Sequence, residues 1–133
     1  MYRYCFDKPA NLLDIEWRGL FDAASIAAYD AALRADFAAH GFEAGYRVVI
    51  DMAATGVQPQ EALLQFRTTF ADFPRASRIA VVTRSALHRL QIQRELPFRI
   101  VRIVSTREAA LAWAVDAIEP DQPALSSLPR LST

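Results

Sequence analysis

The sequence predicts an α/β protein: an open mixed sheet that begins with an N-terminal antiparallel hairpin, continues with parallel strands, and is packed with about four helices. Three observations carry this. Residues 2–6 and 13–17 alternate apolar and polar with period two, the mark of half-buried strands. Three later runs, "YRVVID", "RIAVVT" and "FRIVRIV", are apolar at consecutive positions, as strands covered on both faces are. Helical patterns separate those runs, the alternation that right-handed crossovers between parallel strands produce.

In the hairpin, Tyr2, Tyr4 and Phe6 point one way. After a turn at "DKPAN", Leu13, Ile15 and Trp17 repeat the pattern against Asp14, Glu16 and Arg18, so part of one sheet face is expected to stay open. Asp22 is the expected N-cap of a first helix that carries Ile26, Tyr29, Leu33 and Phe37 at helical spacing and stops at Gly41. "RVVID" is the expected central strand, with "MAATG" as the loop beyond it. A second helix is predicted from Pro59, with Leu63, Phe66, Phe70 and Phe73 on one stripe and Pro74 as its end. Thr83 or Ser85 caps a short helix, "ALHRLQIQREL", that Pro97 terminates. Ser105 stands three residues before Glu108, the capping-box spacing, ahead of a last helix in "AALAWAVDAI". One domain over residues 1–118 is expected, with 119–133 a loosely held Pro- and Ser-rich tail.

Composition bounds the function. Hydrophobic residues make up 53% of 133, enough for a core without staples, and 15 acidic residues balance 15 basic ones. That balance implies no bulk attraction to nucleic acid or to anionic membranes. The single cysteine, Cys5, excludes an intramolecular disulfide and a cysteine-rich metal site, and is read as a small packed residue suited to a reducing cytoplasm. The first residues read as a strand rather than a leader, and no run of about 18 apolar residues exists to span a membrane. A soluble cytoplasmic protein is expected.

The stretches "LLDIEWRGLFDAASIAAYDAALRADFAAHG", "YRVVIDMAATG" and "SRIAVVTRSALHRLQIQRELPFRIVRIVSTREAALAWA" together cover about residues 12–115. This layout resembles the STAS domain, named for sulphate transporters and anti-sigma-factor antagonists, and within it the SpoIIAA-like group of small bacterial proteins. The "RIAVV" strand before a short helix, and the last strand leading into "EAALAWA", are typical of that group. The resemblance implies a small βα sandwich that works through protein partners or bound ligands rather than by catalysis, with no cofactor. Phospho-switch members of the wider family keep a Ser or Thr at the start of the helix after the central strand. The matching candidate is Thr55 before Gly56; Ala53 and Ala54 stand where polar neighbours are expected, and Pro59 rather than Gly56 launches the helix.

In open α/β sheets, ligands bind beyond the carboxyl ends of the parallel strands, where helix N-termini present unpaired N–H groups. That rule gathers Asp51, Thr55, Thr83, Arg84, Ser85, Ser105 and Thr106 as a candidate ligand or partner edge. Its hydroxyls have two readings, an anion-binding rim or ordinary helix caps. Asp51 either helps to hold a ligand or bonds nearby loop amides; one carboxylate is too few for a magnesium site. Between Arg75 and Arg107 eight arginines and His88 face only Glu95. Arg84, His88, Arg89 and Arg94 are the candidate basic partner face; the alternative is that such arginines pair with Asp30 and Asp36 or solvate the surface. No aromatic platform for nucleic acid accompanies them. Neither His40 nor His88 has a partner at zinc or general-base spacing. The phenylalanine stripe with Trp113 is core, a dimer face, or the border of a pocket for a lipid or other hydrophobic small molecule. The expected function is a regulatory interaction module acting at the carboxyl edge, with a hydrophobic-ligand carrier as the alternative.

Overall fold

The hairpin pattern and the three apolar runs form one five-stranded sheet in the order β1-β2-β3-β4-β5. The computed structural model describes residues 2–19, 22–55, 68, 73–95 and 99–120. Its strands are β1 (Tyr2–Asp7), β2 (Leu12–Arg18), β3 (Arg47–Ala54), β4 (Arg78–Val82) and β5 (Val101–Val104). Three helices are described: α1 (Ala23–Ala39), α2 (Ala86–Glu95) and α3 (Arg107–Asp116). β1 pairs antiparallel with β2, and every later pair is parallel. The helix predicted from Pro59 lies outside the described residues, except for Thr68, which is helical, and the end of its stripe at Phe73.

Alternation sorts the side chains to two faces. Leu13, Ile15, Trp17, Val48, Met52, Val81 and Ile103 form one core with Ile26, Tyr29, Leu33 and Phe37 of α1 and Ile92 of α2. Leu12, Val49, Ala80, Val82 and Val104 form the other with Ala110, Trp113 and Ala114 of α3. Each large side chain so buried contributes roughly 1.5–3 kcal/mol. The sheet is thus covered on both sides over β3–β5, which explains their unbroken apolar runs. On the outer side of β1 and β2, Arg3, Cys5, Asp7 and Arg18 are exposed and Asp14 and Glu16 half-buried, the open face that their polar alternation predicted. Cys5 is exposed there rather than packed, on the outer side of the edge strand.

The helix ends follow the sequence signals with one exception. Asp22 caps α1, its Oδ1 accepting from the Ser25 N–H and hydroxyl, both at 2.7 Å. Gly41, at φ +69, closes α1 as a Schellman motif: the Gly41 N–H bonds the Ala38 carbonyl at 3.1 Å and the Phe42 N–H bonds that of Phe37, also at 3.1 Å. The two rings, 5.7 Å apart, make the hydrophobic contact that goes with it. At α3 the cap is Thr106, not Ser105, with its hydroxyl accepting from the Ala109 N–H at 3.2 Å. With Thr106 as the cap, the third helical residue is Ala109 rather than Glu108, so the expected capping box does not form.

Candidate functional site

In register, Asp51, Val82 and Val104 lie in one row across β3, β4 and β5, so the next residues, Thr83 and Ser105, fall together at the carboxyl edge. Arg84, Ser85 and Thr106 follow directly in the chain, whereas Thr55 lies four residues beyond Asp51, past the end of β3. β3 runs three residues past Asp51, to Ala54, so the expected loop "MAATG" is mostly strand. The Asp51 Oδ1 accepts from the Ala53 N–H at 3.0 Å, a bond to nearby backbone of the kind expected for it. Thr55 folds back on the strand: its hydroxyl donates to the Met52 carbonyl at 2.8 Å and its N–H reaches the same oxygen at 3.0 Å.

Thr83 and Ser85 build the start of α2. The Ser85 hydroxyl accepts from the His88 N–H at 3.2 Å, and the buried Thr83 hydroxyl accepts from the Ser85 N–H at 3.3 Å. Ser85 is thus the cap and Thr83 its support. Arg84, Ser105 and Thr106 are exposed.

His88 does not belong to a basic face. It is 0% exposed, with Nδ1 3.3 Å from the Thr83 hydroxyl and no hydrogen-bond partner at Nε2 among the described residues. Burial lowers its pKa, which favours the neutral ring. The sequence showed a histidine among arginines; only the packing reveals that it is the one member of that group turned inward. His40, by contrast, is exposed at the C-cap of α1, its Nδ1 2.8 Å from the Asp36 carbonyl and its ring stacked on Phe6.

Six of the eight arginines from Arg75 to Arg107 divide into two groups. Arg78 donates to the Ala114 and Val115 carbonyls at 3.0 and 3.2 Å, satisfying the last turn of α3. Arg102 forms a two-pronged pair with Glu119 at 2.8 and 2.9 Å and lies over the Trp113 ring. Arg107 makes a two-pronged pair with Asp14. Asp30 and Asp36, the partners expected for these arginines, are engaged instead by Arg34 at 2.5 Å and by the Tyr4 hydroxyl at 2.5 Å. Arg84, Arg89 and Arg94 have no carboxylate partner among the described residues, so this part of the basic run stays uncompensated. Beside them Leu87 and Leu90 are 65% and 54% exposed. Sequence reasoning missed these two, because a leucine in a short helix is by default a core residue.

Of the proposed pocket residues, Phe73 and Trp113 lie on opposite sides of the sheet. Phe66 and Phe70 lie outside the described residues. Phe73 packs on the α1 side against the Phe37 ring, whereas Trp113 is buried under α3 on the opposite side of the sheet, its Nε1 shared by the Ile79 and Ile100 carbonyls at 3.1 and 3.2 Å. No group of three or more His, Cys, Asp or Glu residues is placed to hold a metal among the described residues. No helix among them is long and apolar enough to cross a membrane.

No family model and no curated protein matches the chain. Solved structures do. The crystal structure of an uncharacterized protein of the DUF3478 family with a SpoIIAA-like fold, from Shewanella loihica PV-4, superposes with a TM-score of 0.65 at 12% identity, over 85% of this chain and 93% of that one. An anti-sigma factor antagonist from Mycobacterium paratuberculosis superposes with a TM-score of 0.57 at 17% identity, over 86% and 94%. At such identities the likeness is one of architecture. The sheet order, the antiparallel first pair and the placement of the helices are those of a SpoIIAA-like α/β fold.

Proposed function

We propose that this chain is a non-enzymatic regulatory module that binds a protein partner at the carboxyl edge of its sheet. The observation that carries the reading is the way the edge is built. Asp51, Thr55, Thr83, Ser85 and Thr106 all direct their side-chain oxygens to nearby backbone, and Arg84 stands exposed among them. Such an edge has a fixed shape before any partner arrives, which reduces the ordering cost of docking. One structural neighbour is an anti-sigma factor antagonist, and a partner-binding role on the same architecture accords with that.

The test is quantitative capture from a lysate of the source cells, with wild type compared with Asp51→Asn and Arg84→Glu. A defined protein retained by wild type and lost by the variants supports the reading. Equal retention by all three, or none by wild type, refutes it. Regulation through Thr55 is part of the same proposal: incubation with a cognate kinase and phosphopeptide mapping should place the label there, and label confined to other residues removes that part.

A further inference from the structure

The α2 surface beside the edge carries a more specific reading, which rests on the function just proposed. Leu87 and Leu90 are three apart, so their side chains neighbour each other on one face of the helix. Both stand out from a helix whose His88 and Ile92 are buried on the other side. The exposed Arg84 just precedes α2 and the exposed Arg94 stands in its last turn, one at each end of the apolar pair, whereas Arg89 is half-buried beside Ile92, three residues on. Glu95 is the only acid between Arg75 and Arg107, and no carboxylate compensates these three arginines among the described residues.

We propose that this face of α2 docks an acidic amphipathic helix of a partner protein. Two adjacent leucines suit the apolar stripe of a helix lying alongside, as in helix pairs at 8–10 Å. The exposed Arg84 and Arg94 at the two ends of that stripe select glutamate or aspartate on its flanks and speed encounter. A membrane surface fits less well: insertion needs a wide apolar face sunk roughly 5–10 Å into lipid, and here the inner side of α2 is anchored in the core. A second copy fits less well too, because the exposed outer side of β1–β2 offers carboxylates already paired with Arg3, Arg18 and Arg107.

Fluorescence anisotropy with the full chain tests this, using three labelled synthetic helical peptides of equal length. One carries a leucine stripe flanked by glutamates, one the same stripe flanked by lysines, and one glutamates without leucines. The first should bind in the micromolar range. Leu87→Ser/Leu90→Ser and Arg84→Glu/Arg94→Glu should each weaken it tenfold or more, with circular dichroism unchanged, and raised salt should weaken it further. Equal binding of all three peptides, no binding of the first, or a first-peptide affinity unmoved by either variant overturns the proposal. So does binding only to phosphatidylglycerol vesicles, or sedimentation velocity showing self-association that the leucine variant abolishes. If the lysate partner is lost with Asp51→Asn but kept by the leucine variant, the edge function stands and the α2 proposal fails.

Discussion

His88 offers a test of the packing at the carboxyl edge that needs no partner. The ring is fully buried and its Nε2 has no partner among the described residues, so a proton added there creates an unpaired buried charge. Burial sets the folded-state pKa below the ordinary value of 6.5. As pH falls through about 6.5 the unfolded chain takes up a proton at His88 and the folded chain does not. Stability is therefore whole above about pH 6.5 and declines as pH falls toward the folded-state pKa. The slope cannot exceed about 1.4 kcal/mol per pH unit for one group. Between pH 7 and pH 5.5 the loss reaches at most about 1.3 kcal/mol, the value for a folded state that does not protonate in that range.

Urea denaturation of wild type and His88→Leu at a series of pH values reads this out. With an m-value of about 1.5–2.5 kcal/mol/M, the wild-type midpoint should drop by up to roughly 0.5–0.9 M over that interval relative to the variant. Carboxylates that titrate in both proteins cancel in the comparison. At pH 7 the variant should stay within about 1 kcal/mol of wild type: it loses a 3.3 Å contact to Thr83 but also removes an unsatisfied ring nitrogen, and the Thr83 hydroxyl keeps the Ser85 N–H. Parallel pH profiles for the two proteins refute the argument, for then the ring is either solvated or paired in the folded state.

Three further outcomes follow from single contacts. Ala117 caps α3 at φ +57, a left-handed conformation that an L side chain resists, so Ala117→Gly should stabilise by about 0.5–1 kcal/mol and raise the thermal midpoint by about 2–4 °C; an unchanged or lower midpoint counts against the cap. Trp113→Phe removes the donor to the Ile79 and Ile100 carbonyls and leaves a void under Arg102, at a cost of about 1–3 kcal/mol in urea denaturation; less than about 0.5 kcal/mol contradicts that seat. Asp14→Asn breaks a pair whose arginine is 46% exposed, so it should cost under about 1 kcal/mol at low salt and almost nothing at 1 M, and a large salt-independent loss contradicts surface screening.

The parts of the fold that were legible in the sequence are those set by local rules. Period two, consecutive apolar runs, Asp22 and Gly41 each act within a few residues, and the sheet and α1 agree with them. The edge was legible as a place because carboxyl ends of parallel strands converge in any such sheet. Its chemistry was less so. Whether Ser105 or Thr106 caps α3 depends on a one-residue shift in backbone dihedrals, and both residues carry the right oxygen. Ala53 and Ala54 lack a strong strand signal, yet pairing of Ala54 with Arg18 extends β3 through them. Burial on α2 was illegible for the same reason: its apolar and polar residues do not divide by face. His88 turns in while Leu87 and Leu90 turn out, a reversal of hydropathy that only the tertiary packing decides.

That reversal bears on the zero formal charge. Neutrality of the whole chain would argue against any charged docking surface if acids and bases were evenly mixed. They are not. On the outer side of β1–β2, Glu16 meets Arg3 at 2.6 Å and Arg18 at 3.4 Å, and Asp14 holds Arg107. Burial pushes the Glu16 carboxyl up, but the two guanidiniums hold it below its ordinary value, so the ion pairs persist into mild acid. Those carboxylates are committed to their own arginines, Arg3, Arg18 and Arg107. Among the described residues the outer side of β1–β2 is thus self-neutralised, whereas the exposed Arg84 and Arg94, on the helix that also exposes Leu87 and Leu90, have no carboxylate partner.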